Sequence, residues 1–576
     1  MKQSASTKNK DDISIVLCGQ AGMGVQTVER LLTHILKLSG LNVFATKEYM
    51  SRIRGGMNST LIRVSSGPVR AVVDRIDILI PLDKGAVQHV GRRISPETLI
   101  LAETANLGDD FDRKRCRCVD VPFTQIATDI GNKIYANIVA VGTLTGLFGI
   151  QLQAVSDTIK EYFAAKSQDV VQKNIEAAKA GHELGSHLAN AGKIKMQIRA
   201  DSQVQAHILL SGAEAVGLGA IAGGCNFIAA YPMSPSTGVL VFLAQHAKAF
   251  GIIAEQAEDE IAAINMAIGA WYAGARAMVT TSGGGFALMT EGVSLSAMLE
   301  IPIVIHLAQR PGPATGLPTR TEQADLELAL YAGHGEFPRI ILAPGSLEDA
   351  FYLTSKAFNL ADKYQVPVFV LTDQYFIDSY YNVAAFDLSS VKVEKHVVKT
   401  KQDYQRYELT ENGISPRGVP GYGRGLVCVD SDEHDTHGHI TEDLGVRIKM
   451  VAKRLKKGHS LSKETVEPEL AGPDDYKTLV LCWGSTYHAV AEAVRNVGRD
   501  DVALLHFKQV HPLPEKTAAY LERAERTVIV EGNATGQLGR QIKLHTGIDV
   551  DKRILKYNGL SFSVEEVEQA LGSLIN

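Results

Sequence analysis

The chain has 576 residues, of which 45% are apolar and 21% charged, with a formal net charge of −5. Its length predicts roughly three or four globular domains, and the absence of any basic block argues against nucleic acid as a partner. Met1 to Asp12 is charged and lacks the apolar core of a secretory signal, so the expectation is a soluble, cytoplasmic chain with no membrane partner.

Ile13 to Leu17 predicts a strand that runs into Gly19-Gln-Ala-Gly22-Met-Gly24-Val25, and a helical pattern follows to Leu38. Strand, glycine turn and helix together aim backbone N–H groups and a helix N-terminus at an anion. No Gly-Lys-Ser/Thr follows, so this is not a P-loop, and the glycine order is not G-x-G-x-x-G. The second strand, near Val43 to Ala45, leads to Lys47 rather than to the acid that would hold a ribose hydroxyl, which disfavours NAD. A phosphate or pyrophosphate of another ligand and a tight packing turn both stay open. Arg52-Ile-Arg54-Gly55-Gly56 sets two guanidinium forks beside bare backbone, a pattern suited to phosphate or carboxylate. An exposed, solvated loop is the plainer alternative. Further strands are expected at Ile76 to Pro81 and Thr98 to Ala102. The uncharged stretch Ile134 to Ser156 carries Asn137, Thr143, Thr145, Gln151 and Gln153, so it reads as a buried helix and its exit turn rather than a membrane span. This unit, 1–195, closes on helices and a polar stretch, Gln172 to Ile198, that reads as a linker.

The second unit, 203–390, alternates strand-like and helix-like runs. Strands are expected at His207–Leu210, Asn226–Ala230, Gly251–Ala254, Ala277–Thr281, Ile301–Leu307, Arg339–Ala343 and Val366–Thr372. That alternation predicts a doubly wound, largely parallel sheet. Tyr231-Pro-Met-Ser-Pro-Ser-Thr237 follows one strand, and its two prolines cannot continue a ladder, so the chain turns out of the sheet there. Ser236 or Thr237 is expected to cap the next helix. Thr280-Thr-Ser-Gly-Gly-Gly285 and the stiff loop Arg310-Pro-Gly-Pro-Ala-Thr-Gly-Leu-Pro-Thr319-Arg320-Thr321 follow two more strands. Irregular loops at the carboxyl ends of parallel strands are where open α/β sheets bind ligands. Glu260 opens an apolar helical pattern from Ile261 to Ala273. It suits the helix dipole, and it equally suits a carboxylate held against a ligand.

From 391 to 474 the alternation fails, and charges, glycines and prolines dominate. His434, His437 and His439 stand close to Asp432, Glu433 and Asp435, and the segment is expected to be a solvated connection. From 475 to 576 alternation returns, with strands expected at Thr478–Cys482, Val502–His506 and Thr527–Glu531. Of six cysteines only Cys116 and Cys118 are near neighbours, as a C-x-C among basic residues. Unconnected thiols are expected, and no iron–sulfur ligand set presents itself.

Tyr231-Pro-Met-Ser-Pro-Ser, Glu260, the triple-glycine turn and Arg310-Pro-Gly-Pro-x-x-Gly-Leu-Pro-Thr319-Arg320 together resemble the α subunit of a 2-oxoacid:ferredoxin oxidoreductase. The glycine turn at 19–25 and Arg-Gly-Gly at 54–56 resemble that family's γ domain, placed ahead of α. The order is most similar to the 2-oxoglutarate type. The resemblance implies an α/β fold of three parts: a γ domain, a doubly wound domain of the kind that holds the pyrimidine of thiamine diphosphate, and a transketolase C-terminal-like domain. It implies that Tyr231 and Pro232 border thiamine diphosphate and that Glu260 faces its aminopyrimidine. It places Ser234, where the family's motif has threonine, near thiamine and substrate, and Met233 replaces the family's usual isoleucine. Arg310 would bind the 2-oxoacid carboxylate, Thr319 would line the same pocket, and Arg320 is a candidate for a second carboxylate. Gly22, Gly24, Arg52 and Arg54 fall where coenzyme A contacts are expected.

The chemistry suits these residue types. Thiamine's own amino group removes its C2 proton, and a carboxyl on the pyrimidine N1′ favours the tautomer that does so. Arginine's fork binds both oxygens of a carboxylate while the keto carbon stays open to attack. The family's Gly-Asp-Gly motif with its downstream Asn, which holds magnesium diphosphate, has no match in this chain. The implied assembly is therefore an α2β2-type heteromer with fused γα. Its β subunit would hold the diphosphate, Mg2+ and a 4Fe-4S cluster, and ferredoxin would accept the electrons. The same chemistry on pyruvate, a branched-chain or another 2-oxoacid stays open. So do a non-catalytic CoA- or nucleotide-binding regulatory module and a thiamine transferase of transketolase type.

Overall fold

The computed structural model describes residues 11–20, 24–50, 56–108, 111–113, 116–192 and 198–575. Contacts divide the chain into two units, Met1–Leu210 with Ser379–Ala385, and Ser211–Asp378 with Phe386–Asn576. Among the described residues no helix is long and apolar enough to cross a membrane.

The first unit is built on an eight-stranded sheet. Its order is Arg117–Asp120, Leu99–Ala102, Ile78–Pro81, Asp12–Gln20, Met57–Ser65, Asn42–Glu48, Tyr380–Val383, Ile208–Ser211. Strand Asp12–Gln20 runs antiparallel to Met57–Ser65 and parallel to Ile78–Pro81. Helix Val25–Leu38 buries Val28, Leu31, Leu32 and Ile35 on one face, the spacing of an amphipathic helix. Helices Ala136–Leu147 and Gln168–Asn190 meet backbone to backbone through Gly142, Gly146, Gly181 and Gly185; a Cβ at Gly181 would lie 2.1 Å from the Val139 carbonyl oxygen. The polar stretch expected to be a linker is therefore mostly a packed helix, polar outside and glycine-lined inside.

The strand expected at His207–Leu210 also departs from expectation. It spans Ile208–Ser211 and edges the first unit's sheet rather than opening the second. Asn382, on the neighbouring strand Tyr380–Val383, helps fix that arrangement. Its Oδ1 accepts from the Val43 backbone N–H at 2.8 Å, and its Nδ2 lies 3.0 Å from Asn42 Oδ1 and 2.9 Å from His207 Nδ1.

The second unit holds two sheets. The larger has the order Gln509–His511, Ile340–Leu342, Pro367–Asp373, Ile303–Gln309, Ala277–Thr281, Phe227–Ala230, Ile253–Gln256. All its neighbouring strands are parallel except the outermost pair, where Gln509–His511 runs antiparallel. Strands Ile303–Gln309 and Pro367–Asp373 are buried along their whole length, as strands covered on both faces must be. The edge strand starts two residues later than expected because Gly251, at φ 65°, caps helix Thr237–Phe250 first. The second sheet orders Glu469–Ala471, Val502–Phe507, Thr478–Trp483, Arg526–Glu531, Lys552–Leu555.

The segment 391–474 is not a solvated connection throughout. Arg406, Tyr407, Arg417 and His434 are buried, and the His434 ring packs tilted against Tyr407 at 3.9 Å between centroids. Leu444–Ser462 is a helix. Its buried face carries Lys453 and Lys457, both paired with the fully buried Glu300. Against the penalty of burial, Lys457, Lys453 and Arg406 hold the Glu300 carboxyl well below the usual carboxylate range.

Candidate functional site

Four neighbouring strands of the larger sheet release their chains at the same, carboxyl edge. Phe227–Ala230 leads to the Tyr231 corner, and Ile253–Gln256 leads to Glu260. Ala277–Thr281 leads to the glycine turn, and Ile303–Gln309 leads to Arg310. Parallel pairing thus brings together four segments that lie far apart in sequence.

Glu260 is the first residue of helix Glu260–Tyr272, and Asp259 caps that helix by accepting from the Ala262 N–H at 2.7 Å. With the cap supplied by Asp259, the Glu260 side chain is not needed for it. It is 3% exposed, and its Oε1 has no hydrogen-bond partner. Burial, with a smaller push from Asp259, raises its carboxyl above the usual range, against a hydrogen bond from its own backbone N–H. Buried polar groups are nearly always paired, so an orphaned carboxyl oxygen marks a place for a ligand donor.

The triple-glycine turn makes that placement possible. Gly283–Met298 is a helix whose first turn is glycine throughout. A Cβ at Gly285 would lie 2.3 Å from Glu260 Oε1 and 2.3 Å from Thr281 Oγ1. One at Gly283 would lie 2.3 Å from Asp325 Oδ2. The glycines admit two carboxyl groups against one helix start. Gly285→Ala is therefore expected to displace Glu260, costing about 1–3 kcal/mol of stability from overpacking and most of the activity. Thermal unfolding and turnover of the purified variant check both parts.

Arg310 is buried. Its Nη1 donates to the Ser234 carbonyl at 2.7 Å, while its Nε is buried without a partner. This bond ties the Arg310 loop to the Tyr231 corner. Burial lowers the guanidinium's pKa and Asp325 opposes that shift. At the corner Ser236 does not cap its helix, contrary to expectation. It donates instead to the Met233 carbonyl at 2.7 Å, closing the turn on itself. Behind the corner, His306 bridges Thr280 Oγ1 at 2.7 Å and Thr372 Oγ1 at 2.9 Å. Full burial pushes its pKa down to about 3, so it stays neutral and serves as a support for the strand ends.

The loop after Arg310 is held by the smaller sheet's domain. The Gln323 N–H donates to the Gly532 carbonyl at 2.6 Å, and Gln323 Nε2 donates to the Trp483 carbonyl at 2.9 Å. The Thr321 hydroxyl donates to Asp373 at 3.0 Å, and Ser485 donates to the same carboxylate. Thr319 and Arg320 are half-buried in this loop, and Arg320 lies beside Gly559. Ser234 is exposed at the corner, as is Tyr231 at 41%, and Pro232 is half-buried between them.

Gly24 lies in the first unit, where its φ of 75° starts helix Val25–Leu38 and a Cβ would meet Asn137 Nδ2 at 2.4 Å. Gly22, Arg52 and Arg54 lie outside the described residues. Sequence reasoning missed Asp325 and Gln309. Asp325 stands five residues after Arg320, just ahead of helix Leu326–Tyr331, where an acid reads by default as a cap.

Comparison with known proteins gives a consistent picture. Residues 218–453 match the family model described as "Pyruvate flavodoxin/ferredoxin oxidoreductase, thiamine diP-bdg", and residues 14–184 match "Pyruvate ferredoxin/flavodoxin oxidoreductase". The chain is similar to the 2-oxoacid:ferredoxin oxidoreductase subunit alpha of Sulfolobus sp, 32% identical over 98% of this chain and 97% of the relative. It is similar to the 2-oxoglutarate oxidoreductase subunit KorA of Mycobacterium tuberculosis, 27% identical over 97% of this chain and 90% of that one. In structure it resembles the 2-oxoglutarate:ferredoxin oxidoreductase of Magnetococcus marinus, solved with 2-oxoglutarate, coenzyme A and succinyl-CoA bound. The TM-score is 0.91, with 30% identity over 99% of this chain and all of that one.

Proposed function

This chain belongs to the 2-oxoacid:ferredoxin oxidoreductases, and from that premise we propose that it is the fused γα subunit of a 2-oxoglutarate-oxidising member. The reaction converts 2-oxoglutarate, coenzyme A and oxidised ferredoxin to succinyl-CoA, carbon dioxide and reduced ferredoxin. The observation that carries this reading is the convergence, at one sheet edge, of an unpartnered buried carboxyl at Glu260 and a buried fork at Arg310 with an open Nε.

Those residues fit thiamine diphosphate. Glu260 Oε1 lacks a donor, and burial favours its protonated form, which can share a proton with a ring nitrogen. Bound there, thiamine diphosphate supplies the carbon nucleophile and the electron sink that decarboxylation needs. The chain's own groups do the remainder. Glu260 holds a proton at Oε1 and sets the pyrimidine's tautomer. Arg310 orients the substrate carboxylate, with Nη1 braced by the Ser234 carbonyl. The Ser234 side chain and Thr319 border the keto group and the chain of the acid, and Arg320 is placed for its distal carboxylate. Tyr231 and Pro232 wall the thiamine side. Gly22, Gly24, Arg52 and Arg54 are assigned to coenzyme A.

A partner β subunit completes the site with the diphosphate-binding motif, magnesium and a 4Fe-4S cluster that passes electrons to ferredoxin. Support comes from the curated relatives, which are named as subunits. The substrate assignment leans on the Magnetococcus neighbour. A second reading changes only the acid, since the Sulfolobus relative is named for 2-oxoacids generally.

The test is to co-purify the chain with the subunit encoded beside it and to measure CoA-dependent viologen reduction with a panel of 2-oxoacids. The highest kcat/KM is expected for 2-oxoglutarate. A clear preference for pyruvate or a branched-chain acid would overturn the substrate assignment.

A further inference from the structure

Asp325 has a fixed backbone and an unoccupied carboxyl oxygen. Its N–H donates to Gln309 Oε1 at 2.9 Å, and Gln537 Nε2 holds the preceding Ala324 carbonyl at 2.8 Å. It stands at the capping position of helix Leu326–Tyr331, yet its side chain makes no capping hydrogen bond. The carboxyl is turned the other way, against Gly283, where a Cβ would come within 2.3 Å of Oδ2 and 2.7 Å of Oδ1. Oδ2 is buried and has no partner.

Two other buried polar atoms without partners belong to the same surroundings. Arg310 Nε is a donor, and Ser282 Oγ adjoins Gly283. The charged groups that face Asp325 are Arg310, which favours its ionised form, and Glu322, which disfavours it. Glu260 lies against the same helix start, two residues along at Gly285. Burial and Glu322 outweigh Arg310, and the Asp325 carboxyl is pushed up to about 7. A buried acid and a buried base that are coupled, each with an orphaned atom, offer a ligand an acceptor and a donor.

We propose that Asp325 is a positioning residue that acts through Arg310: ionised, it neutralises Arg310 in the empty pocket, and it takes up a proton as the substrate carboxylate settles on the arginine. This rests on the assignment of Arg310 to the 2-oxoacid carboxylate. Its sign is fixed by charge. A carboxylate entering beside Asp325 disfavours a second negative charge there, so binding and proton uptake are linked. Below the titration the acid is already neutral and binding is tight. Above it, each pH unit weakens binding about tenfold.

The experiment uses the assembled oxidoreductase. In the wild type, KM for 2-oxoglutarate should rise about tenfold per pH unit above roughly pH 7, while KM for coenzyme A does not follow it. In Asp325→Asn, which keeps the shape without the charge, KM for the oxoacid should be flat between pH 6 and 9. A merely structural role would alter kcat or stability and leave the slope in place, and a persistent slope overturns the proposal. Proton uptake gives a check without substitution. Calorimetry of 2-hydroxyglutarate binding, in buffers of different ionisation heat, should show uptake approaching one proton per site at pH 8 and none near pH 5.5. No uptake at pH 8 overturns the proposal as well. Arg310→Leu separates the two levels. If it leaves KM for the oxoacid unchanged, the substrate assignment falls and this inference with it. If it raises KM while Asp325→Asn keeps the slope, only this inference falls.

Discussion

Glu260→Ala is expected to fold and to assemble, and to lose about 10²–10⁴ in kcat. The two halves of that expectation share one cause. Glu260 Oε1 has no partner within the chain, and Asp259 already caps the helix, so truncation removes no internal support from that oxygen. Burial raises the carboxyl's pKa in the folded state. A raised carboxyl favours folding only below its unfolded value, and that contribution is lost as pH rises through the folded one. Once ionised, the buried carboxyl is a burden on the fold, and the melting temperature of Glu260→Ala should be unchanged or higher. Glu260→Gln should recover little activity, because an amide cannot share a proton with the pyrimidine. Near-normal turnover in either variant, at saturating thiamine diphosphate, would contradict the role given to Glu260.

Arg310→Leu is expected to lower kcat/KM for the oxoacid by about 2–5 kcal/mol, or roughly 30-fold to several thousandfold. The loss should fall mainly in KM for the oxoacid, with KM for coenzyme A unaffected. Arg310→Lys should not rescue it. Nη1 is occupied by the Ser234 carbonyl at 2.7 Å, and Nε is buried without a partner. An ammonium is a point charge on a single nitrogen and does not reproduce the planar fork that holds the corner with one nitrogen and faces a carboxylate with others. Steady-state kinetics on both variants check this, and a lysine variant with wild-type KM would contradict it.

The parts of the fold that were legible in the sequence are those whose signal is local. Two prolines at 232 and 235, three glycines at 283–285 and the Arg310-Pro-Gly-Pro run each announce a chain leaving a strand. The parallel sheet then places them side by side. Glu260 was legible because it closes an acidic run, Glu258 to Glu260, at the start of a strongly apolar helix.

What escaped depended on distant partners. Helix Leu444–Ser462 exposes Leu444 and Ile448 and buries Met450, Lys453, Arg454, Lys457 and Leu461. Its inward face keeps the helical period, but cations carry much of it, paired to Glu300 and Glu433. A hydrophobic pattern cannot reveal such a helix. Strand Ile208–Ser211 finds its place beside residues 380–383, a segment some 170 positions away that returns to the first unit. Asp325 escaped because nothing local shows that Gly283 leaves a hollow for its carboxyl.

On the proposed reading, this chain supplies the pyrimidine and substrate half of a thiamine site and a partner supplies the other half. The most direct measurement is CoA-dependent viologen reduction with 2-oxoglutarate and thiamine diphosphate, on the purified chain alone and again after the neighbouring subunit is added. No turnover is expected from the chain alone and full turnover on mixing, abolished when this chain carries Glu260→Ala. Full turnover by this chain without a partner would contradict it.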